Sequence, residues 1–268
     1  MIKDLKKYSK PLVSVILTSY NRANYIKKAI SSVLNQSYKN FELIIVNDSS
    51  TDNTLNIISS YKDPRIRIIN NEKNIGFVRS LNKAISFSKG QYIARIDDDD
   101  IWSGSRKLEK QIRFLENNLD YVLVGSGKII IGKDKMLFPE KDKDIRKRII
   151  IADLFVHSSV VFRKQAFDKV GGYDETCDYS QDWDLWLKLG RIGKFYNFQE
   201  YMVSCKEGSH NRCSKNLRYH LLLNNRIRKK YKNDYPNFYK GWILGWLYYF
   251  FPFRNNILFT KFKKIILK

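Results

Sequence analysis

The sequence has few cysteines, and their pattern fits neither disulfides nor zinc. Cys177, Cys205 and Cys213 are odd in number and none belongs to a CxxC pair, which argues against a disulfide-stapled secreted domain and favours a reducing compartment. The spacing of Cys205, His210, Cys213 and His220 matches no usual set of zinc ligands. We therefore expect a cytoplasmic protein without a structural zinc ion.

Long apolar runs are also missing. The run at residues 12–17 is too short for the apolar region of a signal peptide, and Ser14 interrupts it. An uncharged apolar and aromatic block of 13 residues, at 241–253, contains Pro252 and is shorter than the roughly 20 residues that cross a bilayer. The sequence thus predicts neither export nor a membrane-spanning helix.

Acidic residues are scarce relative to basic ones. The chain has 27 Asp and Glu against 49 Lys and Arg, which gives a net charge of +22. Residues 201–268 hold 15 of the basic residues but only two acids, Glu207 and Asp234, so this segment alone carries +13. Such a balance predicts an anionic partner, which could be a phosphate-bearing substrate, a lipid surface or nucleic acid. The basic residues form no recognisable nucleic-acid module, which disfavours the last of these.

The apolar block at 241–253 has the composition of a membrane-interface segment. Trp242, Trp246, Tyr248 and Tyr249 are of the types enriched at that interface, and basic residues flank the block on both sides. We expect the tail to dock on the anionic inner face of the plasma membrane. The alternative is that the block packs against the rest of the chain or a second subunit.

Strands alternate with helices through the first hundred residues. In chain order the predicted elements are a strand at 12–17, a helix at 23–34, a strand at 41–46, a helix at 55–61, a strand at 66–69, a helix at 78–87 and a strand at 91–96. This alternation indicates βαβ units and a mainly parallel sheet. Polar clusters follow three of the strands, at the sheet edge where ligands bind: residues 18–21, 47–52 and 97–100.

The third cluster is an aspartate tetrad, Asp97 to Asp100. Like charges about 5 Å apart repel by about 3 kcal/mol per pair at an effective dielectric near 20, so a fold keeps them together only if a cation compensates. A hard divalent cation is the simplest compensator. The alternative is a solvated acidic loop, because Asp disfavours strands and favours turns.

Seven short motifs follow one another between Val13 and about Gly208. They are Val13-Ser-Val-Ile-Leu-Thr-Ser-Tyr-Asn21, Ile45-Val-Asn-Asp-Ser-Ser-Thr-Asp52, Asn74-Ile-Gly76, Gly90-Gln-Tyr-Ile93, Asp97-Asp-Asp-Asp-Ile-Trp102, Val170-Gly-Gly-Tyr-Asp-Glu175 and Gln181-Asp-Trp-Asp-Leu-Trp186. In type and order they resemble the family 2 glycosyltransferases. The resemblance implies the A-type glycosyltransferase fold, an α/β fold with a Rossmann-like, mainly parallel mixed sheet flanked by helices, here followed by a basic helical tail.

The resemblance also implies a division of the chain. Residues 1–10 would be a basic N-terminal lead, residues 11–210 the catalytic domain and residues 211–268 a basic, aromatic helical tail. Within the catalytic domain, 11–102 would bind the nucleotide-sugar donor and 103–210 the acceptor.

The donor-side residues are assigned by the same resemblance. It implies that Thr18 and Tyr20 line the nucleotide pocket and that Asp48 accepts a hydrogen bond from the base, usually uracil. It places Asp97 on the ribose side and gives Asp99 the Mg²⁺ or Mn²⁺ ion that bridges the diphosphate. The tetrad also permits a 98/100 register for the metal, and Asp48 could instead be a turn or cap residue.

Asp182 matches the catalytic base of the family, which takes the proton of the acceptor hydroxyl. Gln181 stands where the family has Glu, and the alternative for Asp182 is a helix N-cap. Arg79 is a candidate cation for the leaving diphosphate, although an Arg at this spacing is more often a solvated helix residue. His157 could line the acceptor site or be a core histidine, and His210 could approach the metal.

The resemblance predicts an inverting transferase that moves a sugar from a nucleotide-diphospho-sugar, UDP-linked, to a hydroxyl on a glycan or lipid-linked acceptor. Surface-polysaccharide or lipid-linked glycan assembly is the expected setting. Two alternatives stay open: a non-catalytic scaffold that binds nucleotide-sugars and a basic nucleic-acid-binding protein. A nucleotide-sugar pyrophosphorylase is disfavoured because no Gly-rich, basic phosphate loop follows the first strand.

Overall fold

The strands form one mixed sheet. The computed structural model describes residues 11–177, 179–206 and 217–250. Within these ranges the strands are β1 (Val13–Ser19), β2 (Phe41–Asn47), β3 (Ile66–Asn70), β4 (Tyr92–Arg95), β5 (Ile101–Trp102), β6 (Tyr121–Ile130), β7 (Lys135–Met136), β8 (Val161–Arg163) and β9 (Lys194–Cys205). Their order is β3-β2-β1-β4-β8-β6-β9-β5, and β7 pairs with β6.

Helices cover this sheet and extend beyond it. They are α1 (Ile26–Leu34), α2 (Thr54–Ser59), α3 (Phe77–Ser86), α4 (Lys107–Asn117), α5 (Asp142–Ile149), α6 (Lys164–Lys169), α7 (Gln181–Gly190), α8 (Leu217–Lys230) and α9 (Phe238–Phe250), with a 3₁₀ turn at His157–Ser159. The predicted alternation of strands and helices up to residue 95 is confirmed.

The N-terminal half of the sheet is parallel, and its inner strands β1 and β4 are buried on both faces. Strands β1, β2, β3 and β4 pair in parallel, and every residue of β1 is buried. Alternate side chains of β1 point to opposite faces. Ile16 packs in the layer that contains Leu81 of α3, whereas Leu17 packs in the layer of Ile30 and Leu108, from α1 and α4. Because β1 pairs in parallel with both β2 and β4, the carboxyl ends of these three strands share one edge of the sheet.

The second half of the sheet is mixed. Strand β8 runs antiparallel to β4 and β6, while the 12-residue strand β9 runs parallel to β6 and antiparallel to β5. The charged stretch at 140–148 forms most of helix α5, which buries Ile145 and Ile149 and exposes Lys143, Asp144 and Lys147. This half encloses the polar sheet edge from the other side.

The described part of the tail packs against the main domain. Arg228 of α8 donates a hydrogen bond to the carbonyl of Ile151 (2.9 Å); after the helix, Tyr231 donates to Asp184 (2.8 Å) and Tyr235 to the carbonyl of Leu187 (2.8 Å). Asp184 is fully buried and also forms an ion pair with Lys188. Helices α8 and α9 are thus anchored to α7 and to the segment that follows α5.

Two glycines let α9 lie close to its neighbours. A Cβ atom at Gly245 would collide with the Asn225 side chain of α8, and one at Gly241 would lie 2.9 Å from the Ile150 carbonyl oxygen. The other side of α9 is exposed and apolar: Tyr239, Ile243, Leu247 and Phe250. In the described ranges no helix combines the length and apolarity needed to span a bilayer. The basic lead at 1–10, His210, Cys213 and the basic residues from Arg254 onward lie outside the described residues.

Candidate active site

A cleft of about 950 Å³ opens at the carboxyl ends of β1, β2 and β4. Its lining includes Thr18, Tyr20 and Asp48 from the first two strand ends, together with three of the four tetrad aspartates. The same cleft reaches His157 and Asp182. The structure therefore brings together most of the residues that the sequence singles out.

The aspartate tetrad is buried at the base of this cleft. Asp97, Asp98 and Asp100 belong to the cleft lining, whereas Asp99, also 7% exposed, does not. Arg95 is fully buried behind the tetrad and its Nη2 lies 2.5 Å from Asp97 Oδ1. Arg22 Nε approaches Asp98 Oδ1 at 3.5 Å. Arg95 and Arg22 thus each pair with one carboxylate of the tetrad.

Burial makes the charged form of two tetrad carboxylates costly. It raises the pKa of Asp98 to about 6, and the charges of Asp99 and Asp97 add to this effect. It likewise raises the pKa of Asp100 to about 7, again with repulsion from Asp97. A bound cation would reverse both effects by stabilising the carboxylates in their charged form. The solvated-loop alternative does not fit this degree of burial.

Ser158 and His157 hold the tetrad from the 3₁₀ turn. The Ser158 hydroxyl lies 2.5 Å from Asp100 Oδ2 and 3.1 Å from Asp97 Oδ2, and it accepts the backbone N–H of Asp97. His157 Nδ1 lies 3.8 Å from Asp97 Oδ1, and its Nε2 is hydrogen-bonded to the Tyr173 hydroxyl at 2.8 Å. His157 is therefore a buried histidine that bonds side chains and borders the cleft beside the tetrad.

Asp48 organises the loop that leads into α3. Its Oδ1 accepts hydrogen bonds from Asn71 Nδ2 (2.7 Å) and the Ile75 N–H (2.9 Å), and its Oδ2 accepts from the Gly76 N–H (3.0 Å). Gly76 has a φ of 90°, a conformation that favours glycine. Because a carboxylate has about four acceptor positions, three bonds to the protein leave room for one to a nucleotide base.

Thr18 and Tyr20 end β1 at the mouth of the cleft. Thr18 Oγ1 is buried without a hydrogen-bond partner among the described residues, whereas the Tyr20 side chain is 41% exposed. A buried hydroxyl without a partner is costly unless a ligand satisfies it. Arg79 lies apart from the cleft lining: its guanidinium is mostly exposed and lies 3.5 Å from Glu175. The structure does not bring Arg79 to the site, because it is on the outer face of α3.

Backbone strain is concentrated around the cleft. Among the described non-glycine residues with positive φ, Asn21 (55°), Ser49 (61°) and Ser180 (55°) directly follow or precede residues that line it. Such conformations are disfavoured for residues with a Cβ atom and persist where the surroundings fix them. Three backbone positions in or beside the cleft lining thus have a disfavoured conformation that the surrounding structure fixes.

Asp182 lies at the start of α7 in the acceptor-side part of the cleft. Its Oδ1 accepts the backbone N–H of Trp183 at 2.9 Å. The positive end of the helix dipole stabilises a charged carboxylate at this position, which is the form that a general base requires. Asp182 is therefore the second residue of α7 and lines the cleft, whereas the N-cap position belongs to Ser180, so the N-cap alternative for Asp182 is wrong.

A second carboxylate, Asp153, shares this part of the cleft. Its side chain opens to the cleft and its Oδ1 accepts the Phe155 N–H at 3.0 Å. The pKa of Asp153 is raised well above its usual range. Desolvation by the surrounding protein is the larger cause, and the negative charge of Asp182 adds to it. Asp153 was missed by sequence reasoning because no motif surrounds it.

The tail helices complete the cleft. His220, Asn224 and Arg228 of α8 and Tyr248 of α9 belong to its lining. The hydroxyl of Ser180, two residues before Asp182, lies 2.8 Å from His220 Nε2 and 2.7 Å from Asn224 Oδ1. Because a hydroxyl donates only one hydrogen, the bond to Asn224 Oδ1 makes His220 Nε2 the donor to Ser180. Helix α8 therefore holds the segment just before Asp182 through hydrogen bonds to Ser180.

The residues at the tetrad fit a hard divalent cation. The tetrad itself supplies carboxylate oxygens, which Mg²⁺ and Mn²⁺ prefer. In the described ranges no group of three or more His, Cys, Asp or Glu is placed so that it could hold a metal ion by itself. A cation here would need ligands from the substrate as well, and Mg²⁺ commonly uses one or two carboxylates together with substrate phosphates and water.

Comparison with known sequences shows the family. The model of glycosyl transferase family 2 matches residues 14–171. EpsE of Bacillus subtilis, named as a glycosyltransferase, is 37% identical over 209 residues, which are 75% of each chain. Chondroitin synthase of Pasteurella multocida is 31% identical over 201 residues, which are 72% of this chain and 20% of that protein. The chain belongs to glycosyl transferase family 2.

Solved structures show that this family 2 glycosyltransferase has the A-type fold. S. aureus TarS 1–349 in complex with UDP-GlcNAc has a TM-score of 0.67 at 19% identity, over 81% of this chain and 66% of that one. The Pyrobaculum calidifontis mannosyltransferase PcManGT in complex with GDP-Man and Mn²⁺ has a TM-score of 0.65 at 18% identity, over 90% and 70%. The expected fold class is confirmed. The roles of individual residues stay predictions.

Proposed function

We propose that this glycosyltransferase is a metal-dependent, inverting enzyme that uses a UDP-linked sugar and a hydroxyl acceptor. The observation that carries the proposal is the single cleft that holds both the buried aspartate tetrad and Asp182. The tetrad suits a cation-bound diphosphate, and Asp182 suits proton transfer from an acceptor. Neighbouring structures with UDP-GlcNAc and with GDP-Man and Mn²⁺ support a nucleotide-sugar donor and a divalent ion.

The donor occupies the end of the cleft formed by β1, β2 and β4. Thr18 and Tyr20 line the nucleotide pocket, and Asp48 uses its remaining acceptor position for the imide N–H of uracil. Asp97 binds on the ribose side. Asp99 is the proposed metal ligand, with Asp98 and Asp100 as the alternative pair, and the bound cation would offset the negative charge that develops on the diphosphate.

The reaction is a single displacement at the anomeric carbon. The acceptor oxygen bonds to this carbon on the face opposite the diphosphate, and Asp182 takes the hydroxyl proton. The bond from the carbon to the β-phosphate oxygen breaks, and its electron pair stays on the phosphate. The new bond forms on the face of the anomeric carbon opposite to the bond that breaks, so the configuration at this carbon inverts.

The acceptor occupies the end of the cleft that the tail completes. There Asp182, Asp153 and the polar side chains of α8 supply the hydrogen-bonding groups that a polyhydroxylated glycan needs. Polysaccharide or lipid-linked glycan assembly is the setting we propose, in line with the match to chondroitin synthase.

A screen of nucleotide-sugars tests this function. Thermal unfolding is measured with UDP- and GDP-linked sugars, with Mn²⁺ or with EDTA. A ligand at 100 times its dissociation constant stabilises the folded state by about 2.7 kcal/mol, which raises the melting temperature by roughly 5 °C or more for a chain of this size. We expect this shift with a UDP-sugar and Mn²⁺ and a smaller one with EDTA. If no nucleotide-sugar stabilises the protein in either condition, the proposed donor class is wrong.

We further propose that α9 docks on an anionic membrane surface. Tyr239, Ile243, Leu247 and Phe250 are between 48% and 75% exposed on one side of this helix, and the opposite side packs through glycines. Exposed basic residues lie nearby: Arg226, Lys229, Lys232 and Lys240. Arg228 and Lys230 do not add to this charge, because they bind the Ile151 carbonyl and Asp184. One face of α9 thus packs against the rest of the chain, and the other face stays exposed.

Vesicle co-sedimentation tests the docking. We expect binding to anionic vesicles at low salt, weaker binding at high salt, and a loss of about tenfold or more in Leu247→Glu, because burial of one Leu side chain contributes about 1.5 kcal/mol or more. Leu119→Glu is the matched control, because Leu119 is 78% exposed on the loop after α4. Absence of wild-type binding at low salt, or equal binding by Leu247→Glu and wild type, would refute the membrane role.

A further inference from the structure

Lys128 is a cation in the cleft that none of the seven sequence motifs contains. It lies near the end of β6, is partly buried and belongs to the cleft lining together with Asp100 and Asp182. Its charge acts on Asp153 and on Cys205, and Cys205 in turn is hydrogen-bonded to Asp100. Lys128 therefore lines the same cleft as the tetrad and Asp182.

The pairing of β6 is irregular next to Lys128, which affects where this side chain points. The pairing of β6 with β9 is irregular on both sides of Gly127, between Ser126 and Gly127 and again between Gly127 and Lys128. A Cβ atom at Gly127 would lie 2.6 Å from the Met136 carbonyl oxygen, so β7 can approach only because the residue is glycine. Such irregularities re-aim side chains and are common beside active sites.

The other cations that line the cleft are already engaged. Arg22 approaches Asp98, Arg228 binds the carbonyls of Ile150 and Ile151, and Lys206 contacts the Tyr25 ring and hydroxyl. Lys128 forms no hydrogen bond or ion pair with any residue in the ranges that the structure describes. A partly buried ammonium group without a partner is costly, and an anionic ligand would remove that cost.

We infer that Lys128 binds the β-phosphate of a nucleoside diphosphate and stabilises the charge that this phosphate gains when the sugar leaves. The inference rests on the proposed function. When the bond from the anomeric carbon to the β-phosphate oxygen breaks, the electron pair stays on that oxygen and the acceptor proton passes to Asp182. Lys128 donates hydrogen bonds to the phosphate oxygens, and these bonds strengthen as negative charge develops, so Lys128 acts more strongly on the diphosphate product than on the intact donor.

Calorimetric titration with Mn²⁺ present tests the inference. The probes are UDP, UMP and a UDP-sugar, or the guanine equivalents if wild type binds GDP more tightly. Lys128→Met should weaken UDP about tenfold or more, which is the usual scale for a hydrogen bond to a charged group, weaken the UDP-sugar less and leave UMP within about twofold. Lys128→Arg should recover most of the UDP affinity. In turnover assays, Lys128→Met should lower kcat by about 10²-fold, the scale for a group that stabilises transition-state charge.

Lys135→Met is the matched control. Lys135 is exposed on β7 and its Nζ lies 5.5 Å from the Tyr201 ring centroid, outside the cleft lining. Equal UDP affinity in wild type and Lys128→Met, or equal losses of UDP and UMP, would overturn the inference. Failure of wild type to bind either UDP or GDP with Mn²⁺ would instead contradict the proposed function. The two failures are therefore distinguishable.

Discussion

Asp182→Asn should lower turnover by about 10²-fold or more while donor binding stays nearly intact, because removing a general base slows proton transfer without changing the nucleotide pocket. The amide can still accept the Trp183 N–H that holds the side chain at the start of α7. Turnover is followed as release of nucleoside diphosphate, and binding by calorimetry with the donor and Mn²⁺.

Two carboxylates serve as comparisons for this variant. Asp168→Asn alters an exposed residue paired with Lys164 and should leave turnover unchanged. Asp153→Asn tests which of the two acids at the acceptor end is the base. The charge of Asp182 disfavours the charged form of Asp153, so we expect Asp153→Asn to lose less turnover than Asp182→Asn. If Asp153→Asn but not Asp182→Asn loses turnover, the base is Asp153. If Asp182→Asn keeps normal turnover and Asp153→Asn does too, the base has been assigned to the wrong part of the cleft.

The donor half of the site was predictable because local signals specify it. Each of β1, β2 and β4 is an apolar run followed by polar residues, and parallel pairing brings those ends to one edge. Thr18, Asp48 and Asp97 come together for this reason alone. Arg79 shows the limit of such reasoning, since its place on the outer face of α3 depends on helix rotation and on a partner, Glu175, far along the chain.

The acceptor half was less predictable because long-range packing builds it. Strand β9 and helix α5 have no strong periodic pattern, and Lys128 reaches the cleft only through an irregular pairing of β6 with β9. The tail composition suggested a separate basic segment. The hydrogen bonds from Ser180 to Asn224 of α8 and from Tyr231, just after α8, to Asp184 instead tie this part of the tail to the start of α7. Contacts between residues about 45 positions apart leave no local signature in sequence.

Asp99→Ala is expected to abolish the metal-dependent part of donor binding. With UDP and Mn²⁺, the variant should show the same thermal shift as wild type with UDP and EDTA, because the carboxylate that recruits the cation is gone. The metal-free protein should not be destabilised, since the charge of Asp99 contributes to the raised pKa values of Asp98 and Asp100 and its removal relieves that repulsion. A loss of donor binding that came from misfolding would lower the metal-free melting temperature as well.

The same titration on Asp98→Ala decides the register of the metal. Asp98 lines the cleft and faces Arg22, whereas Asp99 is buried outside the lining, so the geometry leaves room for the 98/100 pair that the sequence also permits. Loss of the Mn²⁺ effect in Asp99→Ala with its retention in Asp98→Ala supports the 97/99 register, and the reverse result supports 98/100. If both variants keep the full Mn²⁺ effect, the tetrad does not hold the cation. The four buried carboxylates would then need another source of positive charge, and Lys128 is a cation that lines the same cleft.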